Sequence, residues 1–167
     1  MKLLRLLTLL SLSAAVFGRA QDADLSVLQN LPAIGVVVHG LSPDGAKLGL
    51  TESGLVAGVR AVVEPAGVEV LPPPVLERTP QAPVLEITAN VSLAGRASYF
   101  FILDLQLREQ LKPGRPHRTL MTIPAVTWAQ QTAGVTGKAD NVRTALARLA
   151  QRFVDEWSQA QAAAAGR

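Results

Sequence analysis

The chain holds two histidines, His39 and His117, and no cysteine. That inventory limits the available chemistry: no thiolate nucleophile, disulfide or thiolate zinc site can be built. A transition-metal site needs three or four His, Cys or carboxylate ligands at matched spacing. The nearest assembly is His39 with Asp44 and Asp22, and neither HExxH nor HxH occurs. His39 working with Asp44 would make a small general-base hydrolase. Read as the end of a strand beside Gly40, the same imidazole simply faces solvent. His117 lies in a basic loop and reads as a solvated side chain.

Other catalytic signatures fall short. The α/β serine hydrolases carry GxSxG at a strand-to-helix turn, and Glu52-Ser53-Gly54 lacks the first glycine. Gly49 and Gly54 are not followed by GK[ST], and Glu52 sits where a phosphate would be repelled. Asp155 and Glu156 are adjacent, so on a helix they point to different places and do not flank one cleft. The expectation is a non-enzyme without metal or cofactor.

One cationic cluster stands out. Arg108, Lys112, Arg115 and Arg118, with His117 among them, are countered in that stretch only by Glu109. Such a loop could bind phosphate or a glycolipid headgroup; it could equally be a charged hairpin tip that discourages edge pairing. A second candidate is apolar. Phe100 and Ile102 alternate with the inward residues of their strand, so they are expected on its outer side, either covered by another element or free to contact a partner.

These residues are positioned by elements whose order can be read from periodicity. Residues 1–20 read as a secretory signal peptide. Lys2 and Arg5 precede the apolar run Leu6 to Phe17, and Gly18 and Ala20 occupy the small-residue positions of a cut before Gln21. The run is too short to span a bilayer, no lipid-anchor cysteine follows, and no later stretch approaches membrane-spanning length. The expected location is extracytoplasmic, periplasmic or secreted. Lys2, Arg5 and Arg19 leave with the peptide. The overall charge of +3 then becomes zero, with thirteen bases and thirteen acids. Charge is uneven along the remainder: net −5 over 21–104 and net +5 over 105–167. Neutrality, few free aromatics and export together argue against nucleic acid as a partner.

After a lead-in at 21–32, one domain is expected over 33–160, with a frayed tail at 161–167. Ala33 to Val38 is a continuous apolar run, read as a strand buried on both faces. Ser42-Pro43-Asp44-Gly45 reads as a turn. Thr51 caps a helix whose face is Leu55, Val56, Val59, Val62 and Val63, closed by Glu64-Pro65. Gly54 and Gly58 on it suggest close approach to a sheet. Val68 to Leu71 reads as a short strand and 72–83 as a stiff Pro-rich linker.

Leu85 to Leu93 alternates apolar with polar, turns at Gly95-Arg96, and pairs with Tyr99, Phe101, Leu103, Leu105 and Leu107. Residues 109–118 form a loop. Thr119 to Trp128 is a strand with Val126 and Trp128 on one side, confined by Pro124 to an edge or a bulge. A last helix, capped by Asp140 or Asn141, carries Val142, Leu146, Leu149, Phe153 and Trp157 as its apolar stripe. Arg152 and Glu156 would pair on its wet side. Asn90-Val91-Ser92 matches a glycosylation sequon, but it lies mid-strand.

The resulting order, β-α-β-β-β-β-α, is expected as a two-layer α/β sandwich: a mixed, mostly antiparallel sheet with two helices on one face. This order is similar to small α/β domains of bacterial envelope-assembly proteins such as the lipopolysaccharide-assembly lipoproteins. The resemblance covers architecture and implies no site residue here. The reading is therefore an exported binding module with an envelope protein or an anionic envelope component as partner.

Overall fold

The computed structural model describes residues 25–29, 31–111 and 123–166. The signal-peptide and lead-in expectations over 1–24, with Asp22, lie outside the described residues, as do Lys112, Arg115, His117 and Arg118. Strand β1, Gly35–Leu41, is followed by a one-turn helix α1, Pro43–Lys47, and by α2, Glu52–Val63. Another single turn, α3, Pro73–Leu76, precedes strands β2, Val84–Leu93, β3, Tyr99–Leu111, and β4, Ile123–Thr136. The long helix α4, Ala139–Ala165, closes the domain. A 3-10 turn at Leu25–Leu28 sits before β1 and plants Leu28 in the core.

The four strands form one sheet in the order β1-β2-β3-β4, with β1 parallel to β2 and the other neighbours antiparallel. The mixed α/β class expected from sequence is the observed one. The alternation in the central strands decides the layers. Leu85, Ile87, Ala89 and Val91 of β2 are buried together with Phe101, Leu103, Leu105 and Leu107 of β3. They meet Leu55, Val59 and Val63 of α2, and Val142, Leu146, Leu149 and Phe153 of α4. Each of these side chains larger than alanine contributes about 1.5–3 kcal/mol by leaving water. Stripes four residues apart on each helix bury against one side of the sheet.

Several elements differ from the sequence reading, each for a local reason. The strand expected at 68–71 makes a single parallel bridge, Val70 to Ile34, because Pro72 and α3 end it at once. The parallel partner of β1 is instead β2. The continuous apolar run at 33–38 therefore belongs to an outer strand. It is apolar because α2 packs against one side while Leu76 of α3 lies over Gly35.

The segment read as a turn at Ser42 opens α1. Its hydroxyl accepts from the Gly45 amide (3.3 Å) and the Val91 amide (2.8 Å), and donates to the Val91 carbonyl (2.8 Å). That long-range clamp has no signature in the local sequence. The turn between β2 and β3 spans residues 94–98, closed by the Ala94 amide on the Ser98 carbonyl.

On α2, Thr51 caps as expected, accepting from the Gly54 amide at 3.1 Å. The two glycines do not approach the sheet: a methyl on Gly54 would meet only the Thr51 hydroxyl, and Gly58 faces open space. The loop expected from residue 109 begins later, since β3 runs to Leu111. β4 is an edge strand carrying an irregularity, as Pro124 requires, and it continues past Trp128 to Thr136. The extra residue is Thr127, because Leu107 pairs with Trp128 and Arg108 with Val126. Inserting one residue flips the alternation. Trp128 is therefore buried while Val126 is exposed on the opposite face.

Helix α4 begins two or three residues earlier than expected, with Lys138 as its cap and no side-chain cap bond of its own. Thr136 does that work. Its hydroxyl accepts from the Lys138 amide (3.0 Å) and from the Asn141 side-chain amide (2.9 Å). The helix also persists through Ala165, held by buried Ala160 and by Gln161 donating to the Leu28 carbonyl at 2.9 Å. Arg152 and Glu156 are not joined. Glu156 turns instead to Trp128 and Gln130 of β4.

Candidate functional site

With both long helices on one side of the sheet, the opposite face of β2, β3 and β4 carries the residues that alternate with the core. On β3 these are Phe100, Ile102, Asp104, Gln106 and Arg108. Their neighbours on β4 are Val135, Ala133, Gln131, Ala129 and Val126, in that order. The face divides into two chemistries along its length.

Its lower half is polar and internally paired. Gln131 donates to Asp104 at 2.6 Å. Arg108 Nε lies 3.0 Å from a Glu86 carboxylate oxygen on β2, an ion pair without hydrogen-bond alignment at Nε. Arg108, the one member of the expected cationic loop among the described residues, is thus committed to its own sheet.

The upper half is apolar along β3 and β4, with exposed Asn90 and Ser92 of β2 beside Ile102 and Phe100. Phe100 is 41% exposed, and opposite it Val135 is 67% exposed. Ile102 is half-buried beside exposed Ala133. The structure therefore brings Phe100 and Ile102 together on one surface and adds Ala133 and Val135. The sequence reading missed the latter two because the Gly- and Thr-rich stretch at 132–137 resembles a loop. The available signal was the Val135–Ala133 alternation, which continues that of β3. Close packing under this surface comes from the other face: the Phe101 ring lies against Gly134, where a Cβ would sit 2.8 Å from Phe101 Cζ.

His39 lies at a register shift between Val38 and Gly40 and is exposed. It makes no side-chain hydrogen bond or ion pair among the described residues. Asp44 is engaged elsewhere, accepting from Lys47 Nζ at 2.9 Å and from the Leu93 amide at 3.2 Å. Those two donors, the ammonium first, hold its carboxyl below the usual carboxylate range, and Asp44 in turn raises Lys47. The His39–Asp44 base pair is not formed. Among the described residues, no three His or acidic side chains gather in a way that could hold a metal ion.

Beyond the sheet face, an open groove of about 820 Å³ runs between β1 and α2, floored by Val36, Val38, Val56 and Ala57 and rimmed by Glu52 and Arg60. Arg60 is paired with Glu64 at 2.6 Å. No described helix is long and apolar enough to cross a membrane.

Neither a protein-family profile nor a curated protein sequence matches the chain. Its fold is similar to those of several solved structures, three of which follow. The PelC dodecamer of Paraburkholderia phytofirmans aligns with a TM-score of 0.45 at 14% identity, over 72% of this chain and 85% of that one. A minor lipoprotein from Acinetobacter baumannii gives 0.40 at 13%, over 78% and 93%. Rare lipoprotein B from Shewanella oneidensis gives 0.29 at 13%, over 78% and 95%. At these values the likenesses carry no functional argument.

Proposed function

We propose that this chain is an exported, non-enzymatic binding module of the bacterial envelope that engages a protein partner through the apolar half of its outer sheet face. The observation carrying the reading is the pair Phe100 and Val135, side by side and both exposed at the end of the outer face away from α3, whose Leu76 covers Gly35 at the other end. A half-exposed aromatic beside a valine costs solubility. It is retained most readily where an apolar partner covers it. Export is supported by the signal-peptide layout of residues 1–20, and a binding role by a face whose polar half is already paired within the sheet.

The test is affinity capture of the exported protein from its native envelope, comparing the wild type with Phe100→Ser and Ile102→Ser. Loss of a specific partner with unfolding midpoints near the wild-type value supports the reading. If both variants retain every partner, or Phe100→Ser unfolds the domain, the face is not a binding surface. The alternative, an anionic ligand held by Lys112, Arg115, His117 and Arg118 beside Arg108, is tested by vesicle flotation with anionic glycolipid. Alanine at the three loop cations should abolish flotation.

A further inference from the structure

The two edges of the sheet are treated differently. β1 is closed at its beginning by the chain itself: Ile34 donates to the Glu69 carbonyl at 2.9 Å, and Leu71 donates back to Ile34 at 2.8 Å. At its other end the register shift at His39 spoils the ladder. Little flat edge remains between the two. β4 has no such closure. Among the described residues no strand pairs with its outer edge over Ile123–Thr136. Pro124 and the extra residue Thr127 disrupt only its first part. Trp128 to Thr136 is regular, nine residues or about 30 Å of extended backbone at ~3.4 Å each.

Proteins normally blunt such an edge with lysine, with inward-pointing charge, or by covering it. β4 contains no ionisable residue at all: Ile123-Pro124-Ala125-Val126-Thr127-Trp128-Ala129-Gln130-Gln131-Thr132-Ala133-Gly134-Val135-Thr136. That composition selects among occupants. Antiparallel pairing with a copy of itself about a two-fold axis at Thr132 sets Gln131 opposite Ala133 and brings residues near the axis beside their own copies, so a charge there would lie against a like charge. An uncharged strand is free of that penalty, and it offers no counter-charge to a basic or acidic peptide.

We infer that the protein forms a two-fold homodimer by antiparallel pairing of β4 with β4 of a second copy over residues 128–136, joining two four-stranded sheets into one of eight strands. The pairing satisfies the outward backbone groups of both edges. It also closes on itself, because each copy uses the same β4 edge. This inference does not rest on the partner reading: it concerns the edge of the sheet, whereas Phe100 and Ile102 concern its face.

The exported protein is examined by sedimentation equilibrium, with hydrogen exchange of the β4 amides as a function of protein concentration. The expected result is a monomer–dimer equilibrium with a Kd on the order of 10 µM. Exchange at 128–136 should slow as the dimer fills. Ala129→Lys with Ala133→Lys, both at exposed positions, should weaken association about tenfold or more while the circular dichroism spectrum and unfolding midpoint stay near wild type. Phe100→Ser should leave the dimer intact. A monomer at about 100 µM with fast exchange along β4 overturns the inference. So does a dimer untouched by the two lysines, or an open-ended polymer in place of a closed pair.

Discussion

The indole N–H of Trp128 donates to the Glu156 carboxylate at 2.6 Å, tying the middle of β4 to the fifth turn of α4. The same indole meets Phe153 edge-on, ring centres 5.1 Å apart. Glu156 therefore does inside the seam what a surface partner such as Arg152 would otherwise do outside it. Removing it should leave a buried donor unpaired. We expect Glu156→Ala to cost about 1–3 kcal/mol in urea unfolding, and Arg152→Ala to stay within ~0.5 kcal/mol. Equal effects of the two would mean that the Trp128 bond contributes nothing.

Adjacent residues on β3 should respond oppositely. Phe101 is 6% exposed and lies on Gly134, whereas Phe100 faces out. Phe101→Ala is expected to cost about 3–5 kcal/mol. Phe100→Ala should cost less than about 1 kcal/mol. Chemical denaturation of both variants checks the assignment of faces directly.

Two glycines make a matched pair of opposite sign. A methyl at Gly58 enters open space in the interior of α2, so Gly58→Ala should stabilise by about 0.5–1 kcal/mol through helix propensity and a less flexible unfolded chain. A methyl at Gly134 would meet the Phe101 ring at 2.8 Å, so Gly134→Ala should cost about 1–3 kcal/mol by overpacking. Thermal or urea midpoints of the two variants suffice to test this.

The Asp44 carboxyl, bound by Lys47 and the Leu93 amide, has its pKa held below the ordinary 3.8. A lowered folded-state value means that the unfolded chain takes up the proton first. The stabilisation is present above about pH 4 and is lost as the pH falls through the folded-state value. Asp44→Asn should flatten the acid limb of the stability curve below pH ~4 and leave the curve near neutrality little altered in shape. Lys47→Met should reduce the same acid dependence without abolishing it, because the Leu93 amide remains.

Reading the chain in order recovers what local physics controls. The alternation from Leu85 to Leu107, the Thr51 cap with its i, i+4 valines, and the 4-3-4-4 stripe of α4 each state their partner face through side-chain period alone. So the class, two helices on one side of a mixed sheet, was legible, as was the outward placement of Phe100 and Ile102. Pro124 announced an edge or a bulge because a missing amide cannot serve a central ladder. Residues 132–136 resembled a loop because Ala133 and Gly134 carry weak strand preference and interrupt the apolar alternation. Only β3 beside them, burying Phe101 against Gly134, makes them a strand.

Other features belong to tertiary structure because they depend on residues distant in sequence. Ser42 is a clamp on Val91, forty-nine positions away, and Glu156 answers Trp128 rather than Arg152. Whether β1 was central or outermost was decided when β2, not residues 68–71, took the parallel position. The sequence by itself determined which side chains prefer burial. The assembled sheet decided which edges and faces stay bare, because exposure is a property of what else comes to lie there.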